Sequence, residues 1–440
     1  MSTGIWQNWG RSVRVRPQSI ARPVSIDEVA QVVREAATRG IRVKAIGSGH
    51  SFTGIAIATG IQLDLSGLTG LIRLDPATSR ATFAAGTTLH DAGQLLQANG
   101  LAFENLGDID SQTISGAIST GTHGTGVHFG GIATRVVGLT MVTADAGVLR
   151  IGDTGAGPVE NADLLPAAVI GLGALGVIVD VTVQCVPAFL VHSVERPERL
   201  DAVLADFEAR SAAVDHFEFF WFPHTEVVLT KTNTRLPGTA QRRPLSPARA
   251  WFDDRFMANS IFSLTCRLAR LVPVLTPAIN RLVTTLTGDR EFTEWSTGVF
   301  ATPRTVRFRE LEYAIPLEAV PQALREIRSL IEDRGWTISF PVEVRATAAD
   351  ALWLSPATGR ASGYIAVHRH YREDPLEYFR AVEQILLAHG GRPHWGKLHF
   401  QSAAALAEAY PRHAEFVALR DRLDPDRLFS NAYLEKVLGP

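Results

Sequence analysis

The spacing of apolar positions divides the chain into a front part of short helices and strands and a later part where longer strands and helices recur. Val29, Val32, Val33, Ala36 and Ala37 share one face at helical spacing. Ser25 with Glu28 makes a capping pair ahead of them, so a helix is predicted over 25–39, stopped by Gly40. Residues 41–46 read as a strand, and Ile61-Gln62-Leu63-Asp64-Leu65, apolar at every second position, as another. Two short strands are expected within 71–85, then a helix over 89–99 capped by Thr88 and ended by Gly100. Residues 136–143 and 148–151 suggest a hairpin, and 177–183 a further strand.

Past Pro187 the pattern changes. Phe217-Glu218-Phe219-Phe220-Trp221-Phe222 reads as an aromatic strand that pairs with 227–230. Strands are predicted over 308–315, 336–345 and 364–370, and helices over 317–334 and 376–389, the last capped by Asp374. Residues 235–290, rich in proline and arginine with helical patches, are the least legible. The class is α+β, with a mainly antiparallel sheet in the later part. A chain of 440 residues exceeds one ordinary core, so two or three domains are expected.

Composition narrows the picture. Hydrophobic residues make up 46% and charged residues 20%, as in a globular protein. The 43 basic and 45 acidic residues leave a net charge of −2, with no electrostatic case for nucleic acid. Cys185 and Cys266 are far apart and have no metal spacing, which excludes a disulfide framework and suits a reducing compartment. Met1-Ser2-Thr3-Gly4-Ile5-Trp6 lacks the charged and apolar regions of a signal peptide, and no apolar run reaches the ~18 residues of a span. The nearest, 261–286, is broken by Arg267, Arg270, Pro273, Pro277 and Arg281, which suggests amphipathic helices mostly packed on a core, with a peripheral membrane contact as the lesser alternative. A cytoplasmic protein without membrane contact is expected.

Three glycine-rich stretches carry candidate chemistry. Gly47-Ser48-Gly49-His50-Ser51 ends a strand in small residues, hydroxyls and a histidine, where a backbone can approach a flat or anionic ligand. Residues 105–126 are small and hydroxylated, and two readings stand: a flexible linker, or a backbone cradle for a phosphate-bearing ligand. The helical spacing of Ile114, Ala117 and Ile118 favours the cradle. Gly171-Leu172-Gly173-Ala174-Leu175-Gly176 matches a dinucleotide fingerprint literally, but a strand follows it where that motif needs a helix, so it reads as a close-packed turn beside the same ligand.

Further on, Glu343 and Arg345 share a strand face with Thr337 and Ser339. A surface ion pair and a site for polyol hydroxyls are both open on spacing alone. Tyr364, Ala366, His368 and His370 share another face, and Arg392-Pro393-His394-Trp395-Gly396-Lys397-Leu398-His399 is compositionally rare. His368, His370, His394, His399 and Glu343 are chemically able to bind a metal, but no metal spacing is present and none is expected. Lys397 reads either as a solvated charge or as a desolvated lysine whose lowered pKa assists proton removal.

Together these residues resemble the aldonolactone oxidoreductases of the vanillyl-alcohol-oxidase flavoprotein superfamily, which include L-gulono-1,4-lactone oxidases and dehydrogenases, D-arabinono-1,4-lactone oxidase and the related alditol oxidases. The likeness is carried by Gly47-Ser48-Gly49-His50-Ser51-Phe52, Thr120-Gly121-Thr122-His123-Gly124-Thr125-Gly126 and Leu172-Gly173-Ala174-Leu175-Gly176-Val177. Glu343-Val344-Arg345, His394-Trp395-Gly396-Lys397 and Leu423-Asp424-Pro425-Asp426-Arg427-Leu428-Phe429 extend it over nearly the whole chain.

The resemblance implies a two-subdomain, PCMH-type FAD-binding domain over 13–188, an α+β substrate (cap) domain over 189–400, and a C-terminal segment, 401–440, returning to the FAD domain. It implies FAD held by Ile46, Gly47, Ser48, Gly49, His50, Ser51, Gly107, Asp108, Thr113, Gly116, Thr120, Gly121, Thr122, His123, Val177 and Ile178, with His50 matching a histidine bonded to the flavin 8α-methyl carbon in many relatives. Arg345, Lys397 and Glu343 are the implied catalytic residues, and Glu343, Arg345, His368, Lys397 and Asp108 the substrate-binding ones. Gly107 falls where relatives place a gatekeeper of dioxygen access, and glycine there leaves the path open. Asp108 departs from the serine of alditol oxidases. The implied reaction is hydride removal from a carbinol carbon of a sugar lactone, with dioxygen or another electron acceptor. Alditol oxidation and a flavin-binding protein without turnover are the rival readings.

Overall fold

The computed structural model describes residues 4–286, 288–302 and 304–440. The front of the chain builds two small sheets. Ser19–Ala21, Ile61–Asp64 and Val43–Ile46 form a parallel sheet with Ile61–Asp64 in the middle. Helix Ile26–Thr38 packs its buried Val29, Ala30, Val33 and Ala36 into the core beside it. Ser25 caps that helix by accepting from the Glu28 N–H, while the Glu28 carboxylate reaches one residue past the expected box, to the Val24 N–H at 2.9 Å. The second sheet is antiparallel, in the order Val148–Gly152, Val136–Val142, Val177–Gln184, Arg80–Ala84, Leu71–Asp75. Val177–Gln184 lies at its centre and is buried on both faces, one lined by Val177, Val179, Val181 and Val183 and the other carrying Asp180 and Thr182.

The later part forms one antiparallel sheet of eight strands: Arg290–Trp295, Phe189–Arg199, Val227–Pro237, His216–Trp221, Val342–Thr347, Ser362–His370, Phe308–Pro316 and Arg392–Pro393. Its faces differ because successive side chains alternate. Phe217, Phe219, Val342, Val344, Leu311 and Tyr313 point to one side, into a core shared with helices Val320–Asp333 and Leu376–Ala388. The intervening residues, among them Glu218, Glu310, Glu312, Glu343, Arg345 and His368, occupy the other side and are also buried. A sheet face dense in buried charge is costly unless every charge is paired, and it marks this face as a site rather than packing surface.

That face meets the front part of the chain through the loop at 122–129. The Gly126 N–H donates to the Ala346 carbonyl at 2.7 Å, the Thr125 hydroxyl to the Phe217 carbonyl at 2.6 Å, and the Ala348 N–H to the Phe129 carbonyl at 2.9 Å. Gly124 to Gly126 therefore join the two sheets rather than cradle a ligand, a correction to the cradle reading of that end of 105–126. Leu406, Tyr410, Phe416, Phe429 and Leu434 of the C-terminal helices belong to the same buried cluster as Val29 and Val181.

Two other elements differ from expectation. The predicted strand 336–345 begins at Val342 and ends at Thr347; Pro341, lacking an N–H, stands just before it, and Thr337 and Ser339 lie outside the strand. Within 235–290, Val227–Pro237 runs on as a strand, and helices Pro247–Ala250, Phe262–Leu271 and Thr276–Leu286 follow, with a π-helix at Trp251–Ile261. Among the described residues no helix is long and apolar enough to cross a membrane.

Candidate active site

Strand Val43–Ile46 delivers Gly47 to Ser51 into a cleft whose far wall is Gln112, Thr113, Gly116 and Thr120 and whose floor is Leu172, Gly173, Gly176 and Ile178. The cleft is continuous at His50, Ser51, Gln112 and Thr120 with a second one running toward the cap sheet. Gly49 turns the chain with φ +72, a conformation in which a side chain is strained. Phe52 then ties the turn to the other end of the site: its N–H donates to the Gly396 carbonyl at 2.6 Å, and the Thr53 hydroxyl donates to the Trp395 carbonyl. Residues more than 340 positions apart in sequence, Phe52 with Gly396 and Thr53 with Trp395, thus share one loop contact.

His50 stands where the clefts join. Its Nε2 lies 2.8 Å from the Ser111 hydroxyl, its ring stacks on Trp9, and its buried Nδ1 has no hydrogen-bond partner. Burial, then the Lys397 cation, lowers its pKa to about 4, so the imidazole is neutral at physiological pH. A neutral ring nitrogen, orphaned against a glycine-lined cleft, is a nucleophile without a partner.

The second cleft is lined by Gly107, Asp108, Thr122, His123, Glu312, Arg345, His394 and Lys397. Lys397 is paired with Glu310 and lies 3.9 Å from Glu312. Burial alone would lower its pKa, but Glu310 and Glu312 outweigh it and the net shift is upward. The desolvated-base reading of Lys397 is thereby overturned: it is a fixed cation. Arg345 donates to Glu218 at 2.7 Å, pairs with Glu343, and lies 3.7 Å from Asp108, which Arg304 also holds at 3.0 Å. Burial raises Glu343 to about 7 in spite of Arg345. Burial would likewise raise Glu312, yet His123 and Lys397 outweigh it and hold the carboxyl well below its ordinary range. The pair at 343 and 345 is a buried one, not a surface one.

Not every expected residue reaches a cleft wall. Gly121 packs near Ile170 and Pro356, and Val177 is buried in the core; neither lines either cleft. Glu343 and His368 lie behind the wall, His368 with its Nδ1 2.9 Å from the Pro341 carbonyl and its Nε2 3.6 Å from Glu310. At Gly107 a Cβ would sit 2.9 Å from the His123 carbonyl oxygen, so close backbone approach is sufficient reason for the glycine. Lys44, absent from the sequence reading, lines the first cleft and donates to the carbonyls of Gly173 and Phe429. Glu218, Glu310, Glu312 and Lys231 were also missed. Their signal was the alternation of the strands: Glu310-Leu311-Glu312 and Glu343-Val344-Arg345 both set charges two apart between apolar residues.

The five groups singled out as able to bind a metal do not converge; His399, for one, faces Tyr433 at 2.8 Å. Among the described residues, His123, Glu312 and His394 bring ligand atoms within 4.8 Å of one another. Glu312 there is already compensated by His123 at 3.3 Å and by Lys397.

A model of the FAD-binding domain matches residues 17–152, and one described as D-arabinono-1,4-lactone oxidase matches residues 181–437. The chain belongs to the D-arabinono-1,4-lactone oxidase family. Over 436 residues it is 43% identical to the L-gulono-1,4-lactone dehydrogenase of Mycobacterium tuberculosis, covering 99% of each chain. It is 34% identical to the L-gulonolactone oxidase of Bos taurus, covering 98% of each, and 29% identical to the D-arabinono-1,4-lactone oxidase of Yarrowia lipolytica, covering 89% of this chain and 85% of that one. Among solved structures, cholesterol oxidase from B. sterolicum superposes with a TM-score of 0.81 at 18% identity over 99% of this chain and 96% of that one, a likeness of fold. The cofactor of this family member is FAD. The residues present fit it: a glycine-walled cleft leads past an orphaned imidazole to a pocket of buried cations. The protein is an FAD-dependent oxidoreductase of the aldonolactone-oxidising group.

Proposed function

We propose that this protein oxidises an aldono-1,4-lactone of the L-gulono or D-arabinono type at the ring carbinol carbon next to the carbonyl, giving an ascorbate-type enediol after tautomerisation. The observation that carries the reading is the pair of permanent cations, Arg345 and Lys397, both on the wall of one buried pocket. FAD, when bound, supplies the hydride acceptor.

The residues handle the rest of the charge. As a hydride leaves, the substrate hydroxyl becomes acidic and its oxygen gathers negative charge. Arg345 and Lys397, already oriented by Glu218 and Glu310, stabilise that oxygen without reorganising. Glu343, whose pKa of about 7 sits at the working pH, stands behind Arg345 and takes up the proton by way of water, since the permanently charged Arg345 between them relays none. Asp108, held ionised by Arg345 and Arg304, binds substrate hydroxyls at the pocket mouth. Gly47 to Ser51, Thr113, Gly116 and Thr120 hold the cofactor through backbone N–H groups and hydroxyls. His50 bonds to it covalently through Nδ1, the nitrogen without a partner. Gly107 leaves a path open for dioxygen, and the acceptor is dioxygen or another electron carrier.

The test is anaerobic mixing of the yellow protein with L-gulono-1,4-lactone, D-arabinono-1,4-lactone or xylitol, followed by absorbance. Bleaching by a lactone is expected. Bleaching by xylitol alone would establish alditol oxidation instead, and a flavoprotein that none of them bleaches would sink the enzyme reading for these substrates. In His50→Ala, acid precipitation should release all the flavin, where the parent protein retains it in the pellet. Complete release from the parent protein would disprove the covalent bond.

A further inference from the structure

Ser111 takes no part in the lactone chemistry, yet its position is fixed on both sides. Its two neighbours are tied to the start of helix Leu89–Ala98: the His90 N–H donates to the Asp110 carbonyl and the Leu89 N–H to the Gln112 carbonyl, each at 2.8 Å. The Asp110 carboxylate adds a third tie, 2.7 Å from Nδ1 of His90. The hydroxyl between these ties meets Nε2 of His50 at 2.8 Å, while Ser111 itself stays exposed. From the other side, the hairpin of Trp6–Gln7 and Arg14–Val15 holds the same imidazole. The Trp9 N–H donates to the Gly49 carbonyl at 2.8 Å, the Asn8 amide to the Ser51 carbonyl at 2.9 Å, and the Ser12 hydroxyl to the Phe52 carbonyl at 2.6 Å. The Trp9 indole lies on the His50 ring, with centroids 5.6 Å apart and planes 25° from parallel. A ring bonded at one nitrogen and covered on one face is not free to turn.

These contacts choose which nitrogen reacts. A neutral imidazole carries one N–H, and its place is set by the hydrogen bonds the ring makes. With the proton on Nδ1, the Ser111 hydroxyl would donate to Nε2, and a buried N–H would be stranded, because Nδ1 has no partner among the described residues. With the proton on Nε2, that N–H donates to the Ser111 oxygen, the hydroxyl hydrogen turns to solvent, and Nδ1 keeps a free lone pair. The second arrangement strands no donor. We propose that Ser111 and Trp9 are positioning residues for attachment of the cofactor: Ser111 keeps the His50 proton on Nε2, Trp9 keeps the ring from turning, and Nδ1 is left as the attacking atom. The step presupposes the covalent bond proposed for His50. The Nδ1–C8α bond forms as a C–H bond of the 8α-methyl group breaks. That hydrogen leaves as a proton, and its electron pair passes through the ring system to the dioxygen or other acceptor that ends each turnover. The imidazole, cationic once Nδ1 is bonded, loses its Nε2 proton to solvent by way of the Ser111 hydroxyl.

The experiment mixes flavin-free full-length protein, from cells starved of riboflavin, with FAD in air with ferricyanide added. The flavin retained after acid precipitation is counted at intervals, and total bound flavin and Tm are measured on the same samples. Ser111→Ala should bind FAD and melt as the parent does, yet attach it about tenfold more slowly or worse, and Ser111→Thr, which restores a hydroxyl, should recover most of the rate. Trp9→Leu should slow attachment by about tenfold, and Trp9→Phe, which restores a flat ring, by less than about threefold. Attachment in Ser111→Ala at the parent's rate overturns the proposal and leaves the covalent bond standing, as does Ser111→Thr no faster than Ser111→Ala. Equal slowing in Trp9→Phe and Trp9→Leu overturns the part given to Trp9. A parent protein that never attaches flavin disproves the covalent bond, and this proposal falls with it.

Discussion

Glu343 and Arg345 are two positions apart on one strand, and burial acts on them in opposite senses. Arg345 keeps its charge at any working pH, flanked by Glu218, Glu343 and Asp108. Glu343 is raised by burial to about 7, above its ordinary 4.5, so the fraction able to accept a proton grows as pH rises through about 7. The anaerobic rate of flavin reduction by lactone should therefore climb with pH across that value, and Glu343→Gln should be slow and lose the climb. A wild-type profile that is flat between about pH 5.5 and 8.5 would remove Glu343 from the proton step. At this scale the sequence was partly legible. The charges at 343 and 345 stood out, but burial could not be read from spacing, and spacing left Lys397 open between a solvated charge and a desolvated base because its carboxylate partners lie 85 and 87 residues upstream.

The elements that hold the site come from both ends of the chain. Asn431 caps helix Ala432–Leu438 by accepting from the Leu434 N–H, and its amide donates to the carbonyls of Gly54, Ile55 and Ile57 just beyond the His50 turn. Asn431→Ala removes a cap and leaves buried carbonyls short of a donor, a loss of about 2–4 kcal/mol. Thermal unfolding should register it as a lower Tm, and flavin should be less firmly held. A Tm equal to that of the parent would mean the turn is supported elsewhere. Local signals located helix Ile26–Thr38 and helix Leu89–Ala98 to within a residue or two, because their caps and apolar faces are written in neighbouring residues. The strand at 342–347 was drawn six residues too long at its start, since apolar alternation continues through Ile338 and Phe340, which are buried without joining the sheet.

For the molecule as a whole, the eight-stranded sheet is the organising part, one face packing helices and the other carrying the chemistry. A substitution should therefore act according to its face. Val344, fully buried among apolar neighbours, should cost about 1–3 kcal/mol of stability on change to alanine while the rate of flavin reduction is retained. Chemical denaturation and stopped-flow on the same sample separate the two effects, and a large loss of rate with unchanged stability would contradict the division.

The residue order by itself determined the local elements, the glycine turn with His50, the α+β class and the family, because caps, periodicity and motifs are properties of neighbouring residues. Tertiary structure decided which charges are buried and which partners set their pKa. It also decided that Gly124 to Gly126 join the sheets and that Ser111 meets His50. Burial and pairing depend on residues tens to hundreds of positions apart, and spacing along the chain carries no record of which of them meet.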